Sequence, residues 1–250
     1  MKRLREKVAI ITGGASGIGK AVATLFAAEG AQVIVADYDG DQARSVVAEL
    51  INNGGQAKAI KVDVSSEKEV LDMVDEVQRK FNSIDVLVNA AGILKLGNVL
   101  DLTLETWEQV LRVNLTGTFL CSKAVLPIML KKRSGSIINF SSSAGASHAT
   151  KNAVAYVTSK GGVTLLTKSM AVDHAEHNIR VNAVCPGPTD TPMLSMLSKE
   201  DLESLKQTIP MGRLGSQEEI AKTVLFLASD DSSFVTGALI EVDGGQTATI

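Results

Sequence analysis

Residues 8–19 read VAIITGGASGIG: a short apolar run, a glycine-rich turn and the first residues of a helix-length segment. A buried strand that leads through a tight turn into a helix is the repeating unit of a parallel α/β sheet. The glycines permit close approach of the backbone, and the N-terminus of the following helix offers unpaired N–H groups to a phosphate. The stretch therefore predicts an α/β fold, in which this loop is either a simple turn or a dinucleotide site.

The rest of the chain repeats this strand–helix order. Strands are predicted at residues 8–11, 32–36, 57–62, 86–88, 136–140, 180–184 and 239–242, and helices near 17–29, 41–52, 66–80, 104–131, 153–176 and 217–228. Each parallel pairing needs a crossover long enough to hold a helix. The pattern predicts a doubly wound, mostly parallel, Rossmann-like sheet of seven strands flanked by helices.

Domain organisation is predicted from the lack of any long linker or low-complexity tract. We expect residues 1–250 to form a single dinucleotide-binding and catalytic domain. Residues 186–210 are the least regular stretch and contain four of the five prolines. A long irregular segment in a compact domain is commonly a binding loop, so we expect a mobile lid there.

Composition and charge argue against several classes of protein. Apolar residues make up 45% of the chain, charged residues 21%, and the net charge is −3, which is typical of a soluble protein and argues against a nucleic-acid partner. The apolar run 8–11 ends at Gly13, too short for a signal-peptide core or a membrane span. Cys121 and Cys185 alone provide neither a disulfide framework nor a zinc site. We predict a cytoplasmic protein with no metal site and no membrane partner.

Two readings compete for the glycine loop. Residues 14–20 also fit the G-x-x-x-x-G-K phosphate loop of nucleotide triphosphatases, but that motif needs Ser or Thr next to hold Mg²⁺, and this chain has Ala21. The dinucleotide reading is favoured by Asp37, 18 residues past Gly19, where a carboxylate can accept hydrogen bonds from the adenosine ribose. Taken alone, Asp37 could equally be a solvated turn residue.

Tyr156 and Lys160 are four residues apart in a helical segment, so they share one helix face. A tyrosine acts best as an acid/base when its pKa lies near the working pH, which requires a shift of about two to three units, or roughly 3–4 kcal/mol. A nearby ammonium and a cationic nicotinamide could together supply this. Without context, the pair could also be an ordinary packing pair.

Several stretches together resemble the short-chain dehydrogenase/reductase family, of the single-domain type of about 250 residues. They are residues 12–19, Asp63-Val64, Asn89-Ala90-Ala91-Gly92, Asn114 in VNLTGTF, residues 141–145, residues 156–160, Pro186-Gly187 and Asp243-Gly244-Gly245. The resemblance covers nearly the whole chain. It implies an NAD-dependent alcohol dehydrogenase or ketone reductase that transfers hydride between nicotinamide and a carbinol or carbonyl carbon.

The resemblance also implies roles for particular residues. The implied catalytic residues are Asn114, Ser142, Tyr156 and Lys160, and the implied cofactor-binding residues are Gly13, Ser16, Ile18, Gly19, Asp37, Asp63, Val64, Asn89, Tyr156, Lys160, Thr189 and Thr191. Tyr156 would exchange the substrate proton, and Lys160 would lower the pKa of Tyr156 and bind the nicotinamide ribose. Ser142 would hydrogen-bond the substrate oxygen, and Asn114 would hold a water that links Lys160 to solvent.

Within the cofactor set, Asp63 and Val64 would contact the adenine. Asn89 would brace the central strands, and Thr189 with Thr191 would hold the carboxamide. The family members that this chain resembles usually form tetramers through the helices near 104–131 and 153–176, so a homo-oligomer is implied.

The catalytic serine is ambiguous. Family proteins commonly place it 13 residues before the tyrosine, which selects Ser143, whereas alignment on Ser-x-Ala-Gly selects Ser142. We favour Ser142. Side chains alternate at the end of a strand, so only one of the two should face Tyr156.

The cofactor is predicted to be NAD, because Asp37 would repel a 2′-phosphate. Ser16 and Tyr38 occupy the positions where family members place a compensating cation. Small-molecule substrates considered are sugars or polyols, cyclic or secondary alcohols and β-keto acyl thioesters, with His148, Lys151 and Asn152 near the substrate. Non-catalytic dinucleotide-binding regulators and triphosphatases are the alternatives.

Overall fold

The computed structural model describes residues 2–195 and 197–248. Its seven strands are β1 Val8–Thr12, β2 Gln32–Asp37, β3 Gln56–Lys61, β4 Val86–Asn89, β5 Gly135–Phe140, β6 Ile179–Pro186 and β7 Leu239–Val242. They form one sheet in the order β3-β2-β1-β4-β5-β6-β7, and every neighbouring pair is parallel. The predicted doubly wound fold is confirmed, and each predicted strand lies within two residues of an observed one.

Helices connect the strands on both faces of the sheet. They are α1 Gly17–Ala28, α2 Gly40–Asn52, α3 Glu67–Phe81, α4 Leu104–Leu111, α5 Gly117–Lys132, α6 Ser143–Ala146, α7 Val154–His174, α8 Lys199–Gln207 and α9 Gln217–Ala228. The predicted helix 104–131 is α4 and α5 joined by a π-helical turn, Arg112–Thr116. The element α6 is a four-residue turn with non-helical backbone angles inside it.

The segment predicted to be irregular contains a helix. Within 186–210, α8 covers nine residues, and Ser198 caps it by accepting a hydrogen bond from the Asp201 N–H (3.1 Å). The prolines that suggested irregularity lie before and after this helix, so they bound it and do not interrupt it. Position 196 lies outside the described residues.

Alternation along the strands divides the core between the two faces. Ile11 and Val35 pack on one face with α1, α2 and α9, whereas Ile10, Ile34 and Leu87 pack on the other with α3, α5 and α7. A parallel sheet covered on both faces reads as near-continuous apolar runs, as β1 does. The connection from β1 to β2 through α1 and the connection from β3 to β4 through α3 lie on opposite faces of the sheet, which opens a crevice at the carboxyl ends of β1 and β4.

One helical stretch of the described residues, Leu104–Lys132, is long and apolar enough to cross a membrane by length and composition. Core helices of soluble proteins meet the same criteria. Here the stretch packs on α3, α7 and the sheet, and it buries Asn114. We therefore interpret it as a helix of the α/β fold.

Candidate functional site

The glycine loop lies at the crevice and its shape depends on backbone contact. Gly13 has φ +64°, and a Cβ there would lie 2.8 Å from the Cα and N of Ala91. A Cβ on Gly19 would lie 2.1 Å from the Gly13 carbonyl oxygen. No larger side chain fits either position without moving the backbone, so both glycines are needed for this cradle.

The N-terminus of α1 faces this cradle. Ser16 is the N-cap but its side chain makes no capping hydrogen bond, and the first turn, which includes Ile18, has no acidic residue. A Cβ on Gly17 would meet nothing closer than Thr191 and Pro192 at 3.9 Å. Free N–H groups at the positive end of a helix beside open space fit a pyrophosphate.

Asp37 ends β2 directly beside the loop. Its carboxylate accepts hydrogen bonds from the Ala15 N–H (2.9 Å) and the Asp39 N–H (3.0 Å). The adjacent Tyr38 side chain is exposed, and the Lys20 ammonium is paired with Glu49 at 2.7 Å. The carboxylate is thus fixed in position, and the nearest loop lysine is paired with another carboxylate.

Asp63 and Val64 follow β3 at the same edge of the sheet. The Asp63 carboxylate accepts from both the N–H (2.9 Å) and the hydroxyl (2.7 Å) of Ser65. Val64 is buried against Gly117, where a Cβ would lie 2.8 Å from Val64 Cγ2. These contacts fix the backbone of the predicted adenine contact pair.

Asn89 connects three elements at the end of β4. Its Nδ2 donates to Ser122 Oγ on α5 (3.1 Å) and to Asn139 Oδ1 on β5 (2.9 Å). Its own Oδ1 is buried and makes no hydrogen bond. The contacts match those expected of a residue that braces the central strands, and the free acceptor faces the protein interior.

Tyr156 and Lys160 lie one turn apart on α7, as their spacing predicts. The Lys160 Nζ is 5.7 Å from the centre of the Tyr156 ring and donates to the Phe140 carbonyl oxygen at 2.6 Å. Burial lowers the pKa of Lys160 to about 8. The Phe140 carbonyl could not be predicted from the sequence, because every residue type carries a backbone carbonyl.

Ser142 and Ser143 point to different partners. The Ser142 hydroxyl lies near enough to Tyr156 to lower its pKa and accepts from the Ala144 N–H at 3.2 Å, whereas Ser143 Oγ donates to Gln246 Oε1 at 3.5 Å. The serine turn is held on α7 by Gly145, at φ +110°, where a Cβ would lie 2.7 Å from the Val157 carbonyl oxygen. Of the two hydroxyls, the one on Ser142 is therefore the one that contacts the tyrosine.

The pKa of Tyr156 differs from the expectation. Burial raises it, and the hydrogen bond with Ser142 only partly opposes that rise. The Lys160 ammonium donates to the Phe140 carbonyl, and burial lowers the pKa of Lys160 itself. The prediction that Lys160 lowers the pKa of Tyr156 stays a prediction, and a positive charge near the hydroxyl would favour its ionised form.

Asn114 lies in the π-helical turn and is fully buried. Its Oδ1 accepts from the Ile93 N–H (2.8 Å), and its Nδ2 donates to the Ile93 carbonyl (3.0 Å) and to Ser159 Oγ (3.0 Å). A Cβ on Gly92 would lie 3.4 Å from Asn114 Oδ1 and 3.6 Å from Lys160 Nζ. Asn114 and Lys160 therefore border the same small space above Gly92.

Thr189 and Thr191 follow β6. Thr189 is buried, donates to the Gly187 carbonyl (3.0 Å) and pairs with Gly215. Thr191 precedes a 3₁₀ turn, Pro192–Leu194, and faces the glycine loop. The two threonines thus lie at the start of the predicted lid, on the crevice side.

The residues predicted near the substrate lie on an exposed loop before α7. His148, Lys151 and Asn152 are all exposed. The Asn152 carbonyl accepts from the Gly97 N–H (2.8 Å), and the Val154 N–H donates to the Gly97 carbonyl (3.3 Å). This loop therefore runs beside the segment that follows Ile93. Within residues 2–195 and 197–248, no cluster of three or more His, Cys, Asp or Glu could hold a metal.

Comparison with known proteins gives consistent results. A family model described as enoyl-(acyl carrier protein) reductase matches residues 13–247. The 3-oxoacyl-[acyl-carrier-protein] reductase FabG of Thermotoga maritima is 44% identical over 97% of this chain and 98% of its own. Meso-2,3-butanediol dehydrogenase of Serratia marcescens is 40% identical, covering 99% and 97%. The crystal structure of gox2181 superposes with a TM-score of 0.96 at 36% identity, covering 99% and 98%.

Proposed function

Because the chain belongs to the short-chain dehydrogenase/reductase family, whose members are oxidoreductases that use nicotinamide cofactors, we propose that it is an NAD(H)-dependent dehydrogenase or reductase. It interconverts a carbinol and a carbonyl carbon. The observation that carries the proposal is the joint placement of Ser142 against Tyr156 and of Asn114 beside Lys160. A regulator that only binds dinucleotides has no need of these four side chains together.

The cradle of Gly13, Ser16, Ile18 and Gly19 fits the pyrophosphate, and Asp37 fits the adenosine ribose. Asp63 and Val64 would meet the adenine, with Asn89 bracing the strands below. Thr189 and Thr191 would hold the carboxamide. When bound, nicotinamide supplies the hydride chemistry and, in its oxidised form, the positive charge.

Tyr156 moves the proton in this proposal. Burial holds its hydroxyl protonated in the free protein, and that state suits an acid that donates to a carbonyl oxygen during reduction. In the oxidation direction the hydroxyl must ionise, and the positive charge of the oxidised cofactor would offset the effect of burial on its pKa. Ser142 would donate a hydrogen bond to the substrate oxygen as charge develops there.

Lys160 and Asn114 would return the proton to solvent. A lysine with a pKa of about 8 exchanges protons readily at neutral pH, which a surface lysine does not. The space above Gly92 is bordered by both Lys160 Nζ and Asn114 Oδ1, so a water there would connect them. Asn114 would act by positioning that water.

The preference for NAD follows from Asp37. A 2′-phosphate would approach its carboxylate, and the nearest loop cation, Lys20, is already paired with Glu49. Tyr38 and Ser16 supply no positive charge in its place.

We also propose that the substrate is a small molecule. Relatives named for 3-oxoacyl-acyl carrier protein and for butanediol support β-keto acyl thioesters and secondary alcohols, beside sugars, polyols and cyclic alcohols. We further propose one domain over residues 1–250 with a lid at 186–210, and a cytoplasmic homotetramer. Exposed apolar side chains on the two long helices, Phe119, Leu165 and Val172, support pairing of subunits there.

Tyr156→Phe tests the reaction. The ring stays and the ionisable hydroxyl goes, so turnover should fall by about 10²- to 10⁴-fold while NADH binding stays within about twofold. Turnover is measured with alcohols and ketones by absorbance of NADH, and binding by its fluorescence. Retention of more than about a tenth of the wild-type rate, with chemistry rate-limiting, would remove Tyr156 from the role. Hydrolysis of ATP would instead favour a triphosphatase.

The two serines make a matched pair. Ser142→Ala removes the hydroxyl that contacts Tyr156, and should lower kcat by about 10²-fold or more. Ser143→Ala removes only the contact with Gln246 and should cost less than about fivefold, since that hydrogen bond is long. Steady-state kinetics on both variants decide the assignment, and the reverse order would move it to Ser143.

A further inference from the structure

Two lysines lie beside the candidate catalytic site on segments that the proposed mechanism does not use. Gly97 and Ala153 form an isolated parallel bridge between the segment after Ile93 and the loop before α7. Lys95 and Lys151 each lie two residues before a member of that bridge, close in sequence to the point where the two segments meet. The chain turns between Lys151 and Ala153, at Asn152 (φ +55°). We call Lys95 and Lys151 the lysine rim.

Both segments are tied to the groups proposed to react. The Asn114 side chain holds Ile93 by its N–H (2.8 Å) and its carbonyl (3.0 Å), and Lys95 follows two residues later. Lys151 precedes Tyr156 by five residues, and Ala153 between them is buried. The lysine rim therefore lies on the two segments that adjoin the groups proposed to react.

The charges of the lysine rim are not compensated. Both side chains are exposed, and neither makes an ion pair or hydrogen bond within residues 2–195 and 197–248. Asp101, further along the first segment, accepts from Asn98, and Glu241 accepts from the Ser147 hydroxyl in the loop before Lys151. Two ammonium groups on neighbouring segments repel each other, and a bound anion relieves that repulsion.

We propose that Lys95 and Lys151 bind an anionic group of the substrate, which is then an alcohol or ketone bearing a carboxylate or a phosphate. The reaction at the carbinol carbon rests on the proposed function, whereas binding of the anion does not. The lysine rim would orient the substrate and favour charged over neutral analogues of the same shape.

Binding is tested first, on the full chain saturated with NADH. Titration with cyclohexanecarboxylate, with inorganic phosphate and with neutral cyclohexanecarboxamide is followed by the amide resonances of Gly97 and Val154. From the shifts of these resonances, we expect at least one anion to bind at least about tenfold more tightly than the amide. Added NaCl should weaken the binding of that anion. If none of the anions shifts them, or the amide binds equally well, the proposal is wrong.

Substitution of both lysines tests whether the anion binds to them. In Lys95→Gln with Lys151→Gln the preference for the anion should fall at least about fivefold, while NADH affinity is unchanged. Lys131→Gln is the matched control, because Lys131 is exposed, makes no ion pair and lies at the C-terminal end of α5, just before the amino end of β5. An equal loss in the control, or an unchanged preference in the double variant, would overturn the proposal. Faster exchange of α8 amides in the double variant, with anion binding intact, would assign the lysines to lid closure instead.

Kinetics separate this proposal from the proposed function. Reduction of 4-oxocyclohexanecarboxylate is compared with reduction of its methyl ester, and we expect at least about a tenfold advantage in kcat/KM for the carboxylate. Equal rates would leave the dehydrogenase function standing and remove the lysine rim from substrate selection. Anion binding without reduction of any ketone or oxidation of any alcohol would count against the proposed function alone.

Discussion

The glycine loop, residues 12–19, and the connection from β6 to α9, residues 187–216, both lie at the carboxyl edge of the sheet and are held in different ways. In the loop, backbone atoms touch backbone atoms, as Gly13 does with Ala91. The connection is fastened at its ends, where Thr189 pairs with Gly215, whereas α8 between them has no buried residue. The comparison suggests that the cofactor site is shaped before any ligand binds and that the covering segment is free to adjust.

Gly13→Ala should disrupt the glycine loop, which is the rigid one of the two regions. The new Cβ would lie 2.8 Å from Ala91, so the loop must move, and we expect NADH affinity to fall by about 100-fold or more. Fluorescence titration measures the affinity and thermal unfolding measures the cost to stability.

Gly54→Ala is the control for Gly13→Ala. Gly54 also has a positive φ, +81°, but a Cβ there meets nothing within 4 Å. It should lose about 1 kcal/mol of stability and leave NADH affinity unchanged. If the two variants bind NADH equally well, backbone contact does not shape the loop.

The choice between NAD and NADP should be decided in the rigid region, by Asp37 beside the glycine loop. We expect the wild type to prefer NAD over NADP by at least about tenfold in kcat/KM, or about 1.4 kcal/mol. Asp37→Ser with Tyr38→Arg removes the repulsion and adds a phosphate partner, so the preference should weaken or invert. Steady-state kinetics with both cofactors test this. Equal use of both by the wild type would show that Asp37 does not decide the choice.

The covering segment should show the smallest effect, in hydrogen exchange. Amides of α8 should exchange faster than those of α9 in the free protein and slow by about fivefold with NADH and a substrate analogue, as in a closing lid. Mass spectrometry of the exchanged protein resolves both helices. Exchange in α8 that stays the same on ligand addition would contradict a lid.

Most of the fold could be predicted from the sequence because the strands are buried on both faces. Runs such as residues 8–11 must lie in a covered sheet, and their spacing leaves room only for crossovers. The helix α8 was missed because it is short and has only two apolar residues, Leu202 and Leu205, which are too few to establish a helical period. Its Ser198 cap and acidic first turn were the available signal.

The candidate site could be predicted where its groups are side chains and not backbone atoms. Tyr156 and Lys160 are found by spacing, and Ser142 over Ser143 by the motif that ends in Gly145. The Phe140 carbonyl and the direction of the Tyr156 pKa could not be predicted. The first depends on which backbone atom the buried Lys160 ammonium reaches, and the second on the burial of the tyrosine, and residue types alone contain neither.

The π-helical turn at Arg112–Thr116 makes the site sensitive to chain length as well as to residue type. Each residue of an α-helix advances the side-chain direction by about 100°. Deleting one residue between Leu111 and Gly117 would let α4 and α5 merge into a regular helix, and Asn114 would turn away from Ile93 and Lys160. An aligned sequence with a one-residue gap here would therefore have lost this part of the site even if its asparagine were retained.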